Sequence, residues 1–251
     1  LIMSATPIPR TLSLTLFGDL DISTIDEMPA GRQKVATTWL EPEQRDTAYG
    51  FIRKQVEEGR QAFVVCPLVD ESETIESKAA TEEYQRLSQD IFTDLSLGLL
   101  HGRMPGKEKD KVMRQFRDGE VDILVTTPVV EVGIDVANAT VMMIDGADRF
   151  GLAQLHQFRG RVGRGEHKSY CILMSDTNSE TAKERLSALA RIHDGFQLAE
   201  VDLELRGPGD FFGTRQSGLP SLKMAHISDR ELLELARNEA TMLMEEDPDL
   251  E

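Results

Sequence analysis

Between residues 35 and 178 the chain alternates short apolar runs with longer amphipathic stretches. The runs have the length of buried strands, and the stretches between them place apolar residues at helical spacing. The predicted strands are Val35–Leu40, Gln61–Cys66, Leu97–Leu100, Asp122–Val125, Thr140–Ile144 and Tyr170–Met174. The predicted helices between them are Glu43–Glu58, Glu76–Phe92, Lys107–Arg117 and Leu152–Gly160. This alternation predicts an α/β fold in which helices cover both faces of a parallel sheet.

From residue 179 onward the pattern becomes helical only. The predicted helices are Thr181–His193, Phe196–Leu205 and Asp229–Met244, and a glycine-rich segment at 206–213 follows the second of them. We therefore expect four parts along the chain. They are an opening segment 1–34, an α/β lobe 35–178, a helical hairpin with its loop 179–218, and a helix with an acidic tail 219–251.

The 251-residue chain carries a formal net charge of −16. This balance argues against a whole surface built for nucleic acid, because phosphates are neutralised by lysine and arginine. The charge is unevenly distributed, however. Residues 229–251 contain nine acids and two arginines, whereas residues 149–168 contain five lysines and arginines and only Glu166 as an acid. The protein is acidic overall, but this local basic strip could still contact phosphates.

The cysteines and histidines indicate no metal chemistry. Cys66 and Cys171 lie inside predicted strands, where a small buried thiol in a reducing compartment is the ordinary interpretation. The histidines have no second ligand at helical spacing, so no metal site is expected. No apolar run approaches the roughly 20 residues that a membrane helix needs, and we expect no membrane contact.

In a parallel sheet, the loops that follow the strands usually form the binding site. Those loops begin here at Cys66, Leu100, Val125 and Ile144. We therefore expect the functional residues to lie along this edge of the sheet.

The segment from Gln157 to Gly165 has the sequence Gln-Phe-Arg-Gly-Arg-Val-Gly-Arg-Gly. Glycine costs about 1 kcal/mol in a helix interior, so these glycines favour a turn that approaches another surface closely. Guanidinium groups bind phosphate oxygens through paired hydrogen bonds. A solvated basic turn is the alternative, but arginines at this fixed spacing favour phosphate chemistry.

This segment resembles motif VI of superfamily 2 helicases. The resemblance implies that Arg161 and Arg164 are arginine fingers that reach the γ-phosphate of ATP, and that Gln157 helps to position them. It also implies a RecA-like fold, the second lobe of a helicase motor. An arginine supplied by a second domain can raise a phosphoryl-transfer rate by about 10³–10⁵.

Two further stretches resemble helicase motifs. Thr126 and Thr127 end a predicted strand, where hydroxyl groups could donate to phosphates. Together with residues 131–135 they resemble motif V. The resemblance implies that the threonines contact DNA and that Gly133 and Asp135 contact the nucleotide. An ordinary turn after a strand would also explain this stretch alone. The loop at 100–104 resembles one that touches the nucleic-acid backbone, which implies that Arg103 binds DNA.

The opening and the C-terminal region resemble elements that couple ATP use to movement. Ser4, Ala5 and Thr6 resemble motif III, which links nucleotide state to DNA grip. Residues 202–218 resemble the translocation motif shared by RecG helicases and the transcription-repair coupling factor, and the Gly-Pro-Gly and Thr-Arg-Gln sequences favour RecG. The resemblance implies DNA contact by Arg206 and Arg215 and a coupling role for Gln216; a plain glycine-rich connector is the alternative.

The loop that cradles nucleotide phosphates is absent from this sequence. Gly106-Lys107 is the one glycine-lysine pair, but the residue five before Gly106 is His101 and the residue after Lys107 is Glu108, so no Walker A motif exists. Asp70-Glu71 imitates a Walker B pair, but Pro67 interrupts the preceding strand. The resemblance therefore implies that ATP and Mg²⁺ are held mainly by a first motor lobe that precedes Leu1.

The resemblance further implies partners and a location. The partners are branched duplex DNA, the N-terminal motor lobe and the DNA-splitting wedge domain of the same protein; the location is the bacterial cytoplasm, in association with the nucleoid. The rival interpretations are the equivalent lobe of a transcription-repair coupling factor and, in another functional class, a non-catalytic nucleic-acid binding module.

The isolated chain is expected to show no DNA-stimulated ATPase activity, because its arginines lack the phosphate-cradling loop that they complement. Phosphate release by the purified chain, with and without duplex DNA, measures this. Turnover that persists through further purification and disappears in Arg161→Ala would contradict the expectation.

Overall fold

The computed structural model describes residues 3, 6, 7, 23–25, 27, 32–66, 73–131, 135–206 and 230–246. The chain divides into two compact units. One unit comprises Met28–His193, and the other comprises Leu1–Glu27 together with Asp194–Glu251. The first unit contains the sheet and most of the candidate site residues.

The sheet of the first unit has six parallel strands in the order β1-β6-β5-β2-β4-β3. Their bounds are β1 Ala36–Leu40, β2 Gln61–Val65, β3 Leu97–Leu100, β4 Ile123–Thr126, β5 Ala139–Ile144 and β6 Tyr170–Met174. The predicted parallel α/β fold is confirmed. Every residue of β2, β4 and β5 is buried, which explains why these strands are continuous apolar runs rather than alternating ones.

Two helices cover one face of the sheet. Helix α1 is Arg45–Glu57, and helix α2 is Glu73–Arg86, which continues as a π-helical turn at Leu87–Ile91. The core on this face contains alternate residues of the strands and the inward residues of both helices: Ala48, Tyr49, Ile52, Ala62, Val64, Ala80, Leu87, Ile123, Val125, Val141 and Met143. Strand residues two apart share a face, so this set follows the pleat of the sheet.

The opposite face is covered by helix α3, Gly106–Arg117. The rings of Phe63 in β2 and Phe116 in α3 meet edge to face with centroids 4.9 Å apart, and both side chains are fully buried. Helix α4, Leu152–Arg159, packs against helix α5, Glu180–Arg191, and α5 also packs against β1. The prediction of helices on both faces is therefore confirmed.

The C-terminal helices differ in detail from the prediction. Helix α5 begins after Ser179, whose side chain accepts a hydrogen bond from the backbone of Ala182. Although sequence assigned this helix to the hairpin region 179–218, it belongs to the compact unit that ends at His193. Helices α6, Gly195–Arg206, and α7, Arg230–Glu246, belong to the second unit. Helical periodicity identified α5 but not the surface on which its apolar side packs.

Both cysteines are free thiols in the core, as expected. Burial raises the pKa of Cys171 to about 12 and also raises the pKa of Cys66. Both groups therefore stay protonated at neutral pH. Within the described ranges, no helix has the length and apolarity needed to cross a bilayer, and no cluster of three or more His, Cys, Asp or Glu side chains could hold a metal ion.

A substitution of Gln61, at the start of β2, would test the packing of this core. The buried amide of Gln61 donates to the carbonyls of Phe116 and Val121 at 2.5 and 2.7 Å, and so ties α3 to the sheet. Gln61→Leu is expected to lower the free energy of unfolding by about 1–3 kcal/mol, because buried carbonyls lose their donor. Denaturant unfolding measures this, and the exposed Gln85→Leu is the control. Equal stabilities of the two variants would contradict the assignment.

Candidate functional site

The arginine segment lies at the amino edge of the sheet rather than the carboxyl edge. It occupies the turn between α4 and β6, so it precedes a strand instead of following one. The same edge holds Asn138, whose carbonyl accepts from the backbone of Gln61 at the start of β2. We expected the functional residues at the edge where loops follow the strands; this segment lies at the other edge, because helix α4 returns the chain there.

Glycines allow this turn to pack tightly on the rest of the lobe. Gly163 has a φ of +75°, and a Cβ atom there would lie 2.9 Å from Cγ2 of Val35. A Cβ atom at Gly165 would lie 2.5 Å from the carbonyl oxygen of Ala137. The glycines therefore approach other segments of the same chain. They hold the turn against the segment that leads into β5.

Arg164 lies at the centre of a charged cluster on this edge. Its Nε donates to the carbonyl of Gly160 at 3.0 Å, and its Nη1 lies 3.3 Å from Oδ1 of Asp135. The same Gly160 carbonyl accepts from Nη2 of Arg32 at 3.0 Å. Burial, followed by the nearby charge of Arg164, lowers the pKa of Arg32. Two guanidinium groups and one exposed carboxylate therefore converge here, an arrangement that would favour an additional anion.

Arg32 and Arg159 were missed as candidates from sequence alone. Arg159 is only 4% exposed and donates to backbone carbonyls near the end of α5. It therefore differs from the half-buried Gln157, Arg161 and Arg164. The spacing of the arginines could not separate a buried arginine from a half-buried one. Arg32 gave no signal because it lies outside the recognisable motifs.

The carboxyl edge holds the other predicted residues. Arg103 is exposed in the loop after β3, beside His101, whose pKa is lowered first by burial and then by Lys109 and Arg103. Thr126 and Thr127 are buried at the end of β4. The Thr126 hydroxyl donates to the carbonyl of Thr127 at 2.8 Å, so in this arrangement it is used within the chain.

Motif V connects the two edges. Thr127 lies beside β3 at the carboxyl edge, where its backbone donates to Leu100, and Asp135 lies beside Arg164 at the amino edge. The strands are parallel, so the chain between β4 and β5 must run from one edge to the other. The predicted DNA-contacting and nucleotide-contacting ends of this motif are therefore on opposite edges of one lobe.

An ion pair that sequence did not predict also lies at the carboxyl edge. Arg45 at the start of α1 donates through both terminal nitrogens to the carboxylate of Asp145 after β5, each at 2.7 Å. This pair of bonds holds α1 to the end of β5. It is half-buried, and the side-chain hydrogen bond to Asp145 raises the pKa of Arg45.

The remaining predicted site residues lie outside the described part of the chain or at its limits. Ser4, Ala5, Gly133, Arg215 and Gln216 lie outside the described residues. Thr6 is described and exposed, and Arg206 is described only as the last residue of α6. The Walker B imitation at Asp70-Glu71 also lies outside the described ranges.

Comparison with known proteins identifies the family. Residues 44–166 match the helicase conserved C-terminal domain, and residues 192–251 match the C-terminal part of domain 3 of the ATP-dependent DNA helicase RecG. The ATP-dependent DNA helicase RecG of Bacillus subtilis is 52% identical over 98% of this chain. The chain belongs to the RecG helicase family. RecG of Synechocystis is 51% identical over 99% of the chain.

A solved structure shows the same relationship. A structure of RecG bound to a three-way DNA junction matches 92% of the chain with a TM-score of 0.73 and 48% identity. The chain spans 36% of the Bacillus RecG, 30% of the Synechocystis RecG and 30% of the chain in that structure. These matches favour RecG over the transcription-repair coupling factor.

The two matched regions divide the candidate residues of this chain between them. The helicase C-terminal domain includes Arg103, Thr126, Thr127, Gly133, Asp135, Gln157, Arg161 and Arg164. The RecG-specific domain includes Arg206, Arg215 and Gln216. The first region therefore contains features common to many helicases, and the second contains the features that distinguish RecG.

Gly163 provides a test of the arginine turn. Gly163→Ala is expected to lower the free energy of unfolding by about 1–3 kcal/mol, because a side chain is strained at positive φ and would press on Val35. The control is Gly50→Ala in the exposed part of α1, where no atom lies within 4 Å of a new Cβ. That change should be neutral or stabilise by up to about 1 kcal/mol. Thermal unfolding of both variants checks this, and a neutral Gly163→Ala would contradict it.

Proposed function

We propose that this chain is the second motor lobe of an ATP-dependent translocase that moves on double-stranded DNA, with the translocation hairpin attached. In the whole protein it would act on branched DNA in recombination and repair, through reversal of stalled forks and branch migration of Holliday junctions. The contact between Arg164 and Asp135 at 3.3 Å supports this most directly. It brings motifs V and VI together at one edge while motif V begins at the other.

The amino edge is proposed as the nucleotide-facing side. Arg161 and Arg164 would neutralise phosphate charge that develops during ATP hydrolysis, and Gln157 would orient them. Gly133 and Asp135 would contact the nucleotide from motif V. ATP and Mg²⁺ would be held mainly by a first lobe, since this sequence has no phosphate-cradling loop.

The surroundings of Arg164 would allow it to exchange the carboxylate of Asp135 for a phosphate. Its described partners are the exposed carboxylate of Asp135 and the carbonyl of Gly160. The Asp135 side chain is 73% exposed, and an ion pair in such a position contributes only about 0–1 kcal/mol. Arg164 could therefore leave Asp135 at little cost when a phosphate is presented.

The carboxyl edge is proposed as the DNA-facing side. Arg103 would contact the phosphate backbone from the loop after β3, and Thr126 and Thr127 would contact it from the end of β4. For the Thr126 hydroxyl to donate to DNA, it must first turn away from the carbonyl of Thr127. Phosphate contacts of this kind position the duplex without reading its sequence.

Movement is proposed to depend on the remaining candidates. Ser4, Ala5 and Thr6 would link nucleotide state to DNA grip, as motif III does. Arg206 and Arg215 would contact DNA, and Gln216 would pass the closure of the two lobes to the hairpin. The related RecG bound to a three-way junction supports branched DNA as the partner.

The remaining parts of the proposal concern the whole protein. The N-terminal motor lobe and the wedge domain would be supplied by the same protein, which would work in the bacterial cytoplasm on the nucleoid. The four-part division at residues 34, 178 and 218 would describe the functional segments, although the compact units divide after His193. A non-catalytic nucleic-acid binding module is the rival, and it has no need of arginines that face a nucleotide.

Arg164→Ala in the full-length protein tests the proposal. The DNA-stimulated ATPase rate is expected to fall by on the order of 10³ while DNA affinity stays nearly unchanged, because the arginine stabilises charge in the transition state. Steady-state ATPase and equilibrium binding to a branched duplex measure the two quantities. Arg191→Ala, at an exposed arginine of α5, is the matched control.

Two outcomes would contradict the proposal, and the measurements tell them apart. If DNA affinity falls as much as the ATPase rate, Arg164 is a contact to the phosphate backbone instead of an arginine finger. If the wild-type protein binds branched DNA but hydrolyses no ATP, the binding-module interpretation replaces the motor.

A further inference from the structure

A buried arginine at the end of α4 connects the arginine turn to a distant part of the chain. Arg159 is the last residue of α4 and immediately precedes Gly160. Its Nη1 donates to the carbonyls of Leu189 at 2.7 Å and Ile192 at 2.8 Å. Its Nη2 donates to the carbonyl of His193 at 3.3 Å and lies 3.0 Å from Nδ1 of His156. One guanidinium therefore holds three carbonyls from the end of α5 and the residues after it.

The carbonyls at a helix end need such a donor. The last carbonyls of an α-helix have no partner within the helix and carry the negative end of its dipole. Helix α5 ends at Arg191, and Ile192 is extended. A positive group at this point satisfies the carbonyls and favours the dipole, which explains why a guanidinium is tolerated here despite its burial.

The burial of this group carries a cost that its hydrogen bonds must offset. Burial lowers the pKa of Arg159. A buried charge is destabilising unless its donors are all used well. Arginine offers five N–H groups in a rigid planar fork, whereas the ammonium of lysine is a compact charge on a flexible stem. Only arginine can span carbonyls at residues 189, 192 and 193 from one position.

The contacts of Gly160 extend this link to the arginine finger. The Gly160 carbonyl accepts from Nε of Arg164 at 3.0 Å, and Gly160 is covalently bonded to Arg159. At the other end, His193 is bonded to Asp194, the first residue of the C-terminal part of the second compact unit. A continuous series of hydrogen bonds and covalent bonds thus runs from Arg164 through Gly160 and Arg159 to His193, the last residue of the first unit.

We propose that Arg159 is a positioning residue. It transmits a displacement of the arginine turn to residues 192–194, which lead into helix α6. The inference rests on the proposed motor function and adds a mechanical element to it. When Arg164 changes partner, Gly160 and Arg159 shift together, and the carbonyls at 189, 192 and 193 follow. Arg159 contacts neither nucleotide nor DNA in this scheme.

The test uses Arg159→Lys in the full-length protein, with Arg191→Lys as the matched control. Arg191 lies in α5 but is exposed, and its Nε bonds within its own helix to Ser187. DNA-stimulated ATPase and junction unwinding are measured on the same branched substrate. ATPase is expected to stay within about threefold, while the base pairs unwound per ATP fall about tenfold; Arg191→Lys should match the wild type in both.

Two results would overturn the proposal. Proportional loss of ATPase and unwinding would show that Arg159 only supports the fold or the ATPase site. Unchanged unwinding per ATP would show that its hydrogen bonds transmit nothing. A purely structural role would move both rates together, so the ratio separates the two explanations.

Hydrogen exchange provides a second measurement that does not depend on motor activity. In Arg159→Lys the backbone amides of residues 192–199 are expected to exchange at least about threefold faster, while those of β5 and β6 keep their wild-type rates. No change at 192–199 would overturn the link even if the enzyme is inactive. If the wild type shows no DNA-stimulated ATPase but the exchange result is as expected, the proposed motor function fails and the Arg159 link stands.

Discussion

When helices cover both faces of a parallel sheet, the sheet presents side chains to other molecules mainly at its amino and carboxyl edges, where the strands begin and end. Here helices cover both faces, and the central strands β2, β4 and β5 have no exposed residue. The described candidate residues of this unit divide between the edge with Arg103 and Thr127 and the edge with Asp135 and Arg164. Thr127 and Asp135, which belong to the single connection between β4 and β5, lie at opposite edges, so one short stretch of sequence contributes to both.

Much of the fold was predictable because buried strands of a parallel sheet have a distinctive sequence. The bounds of β3 and β6 agree with the predicted ranges. Strands β1, β2 and β5 differ by one residue at one end, and β4 is shifted by one residue at both ends. Strand order was not predictable, since pairing such as that of β2 with β5 depends on how crossover helices pack. For the same reason the sequence could not show that α5 packs within the compact unit that ends at His193, although the helix-only pattern begins near residue 179.

The candidate site was predictable only where residues occur in recognisable motifs. The pairing of Asp135 with Arg164 joins residues from two such motifs, but no spacing in the sequence indicated it. The arginines at 159, 161 and 164 look equivalent as sequence, yet one is buried against the end of α5 and the others are half-buried. Arg32 contributes to the same cluster through the carbonyl of Gly160, and its local sequence carries no sign of that role.

The contact between Gly165 and Ala137 has a consequence for the tolerance of this region to sequence change. A Cβ atom at Gly165 would lie 2.5 Å from a backbone oxygen, which a rotamer change cannot relieve. Any side chain at 165 would push apart the turn before β6 and the segment before β5, and with them Arg164 and Asp135. The neighbouring Glu166 is exposed, so a different side chain there would meet no such obstacle. A substitution on the solvent side of this turn should therefore be tolerated, one residue away from a position where a side chain would displace the backbone.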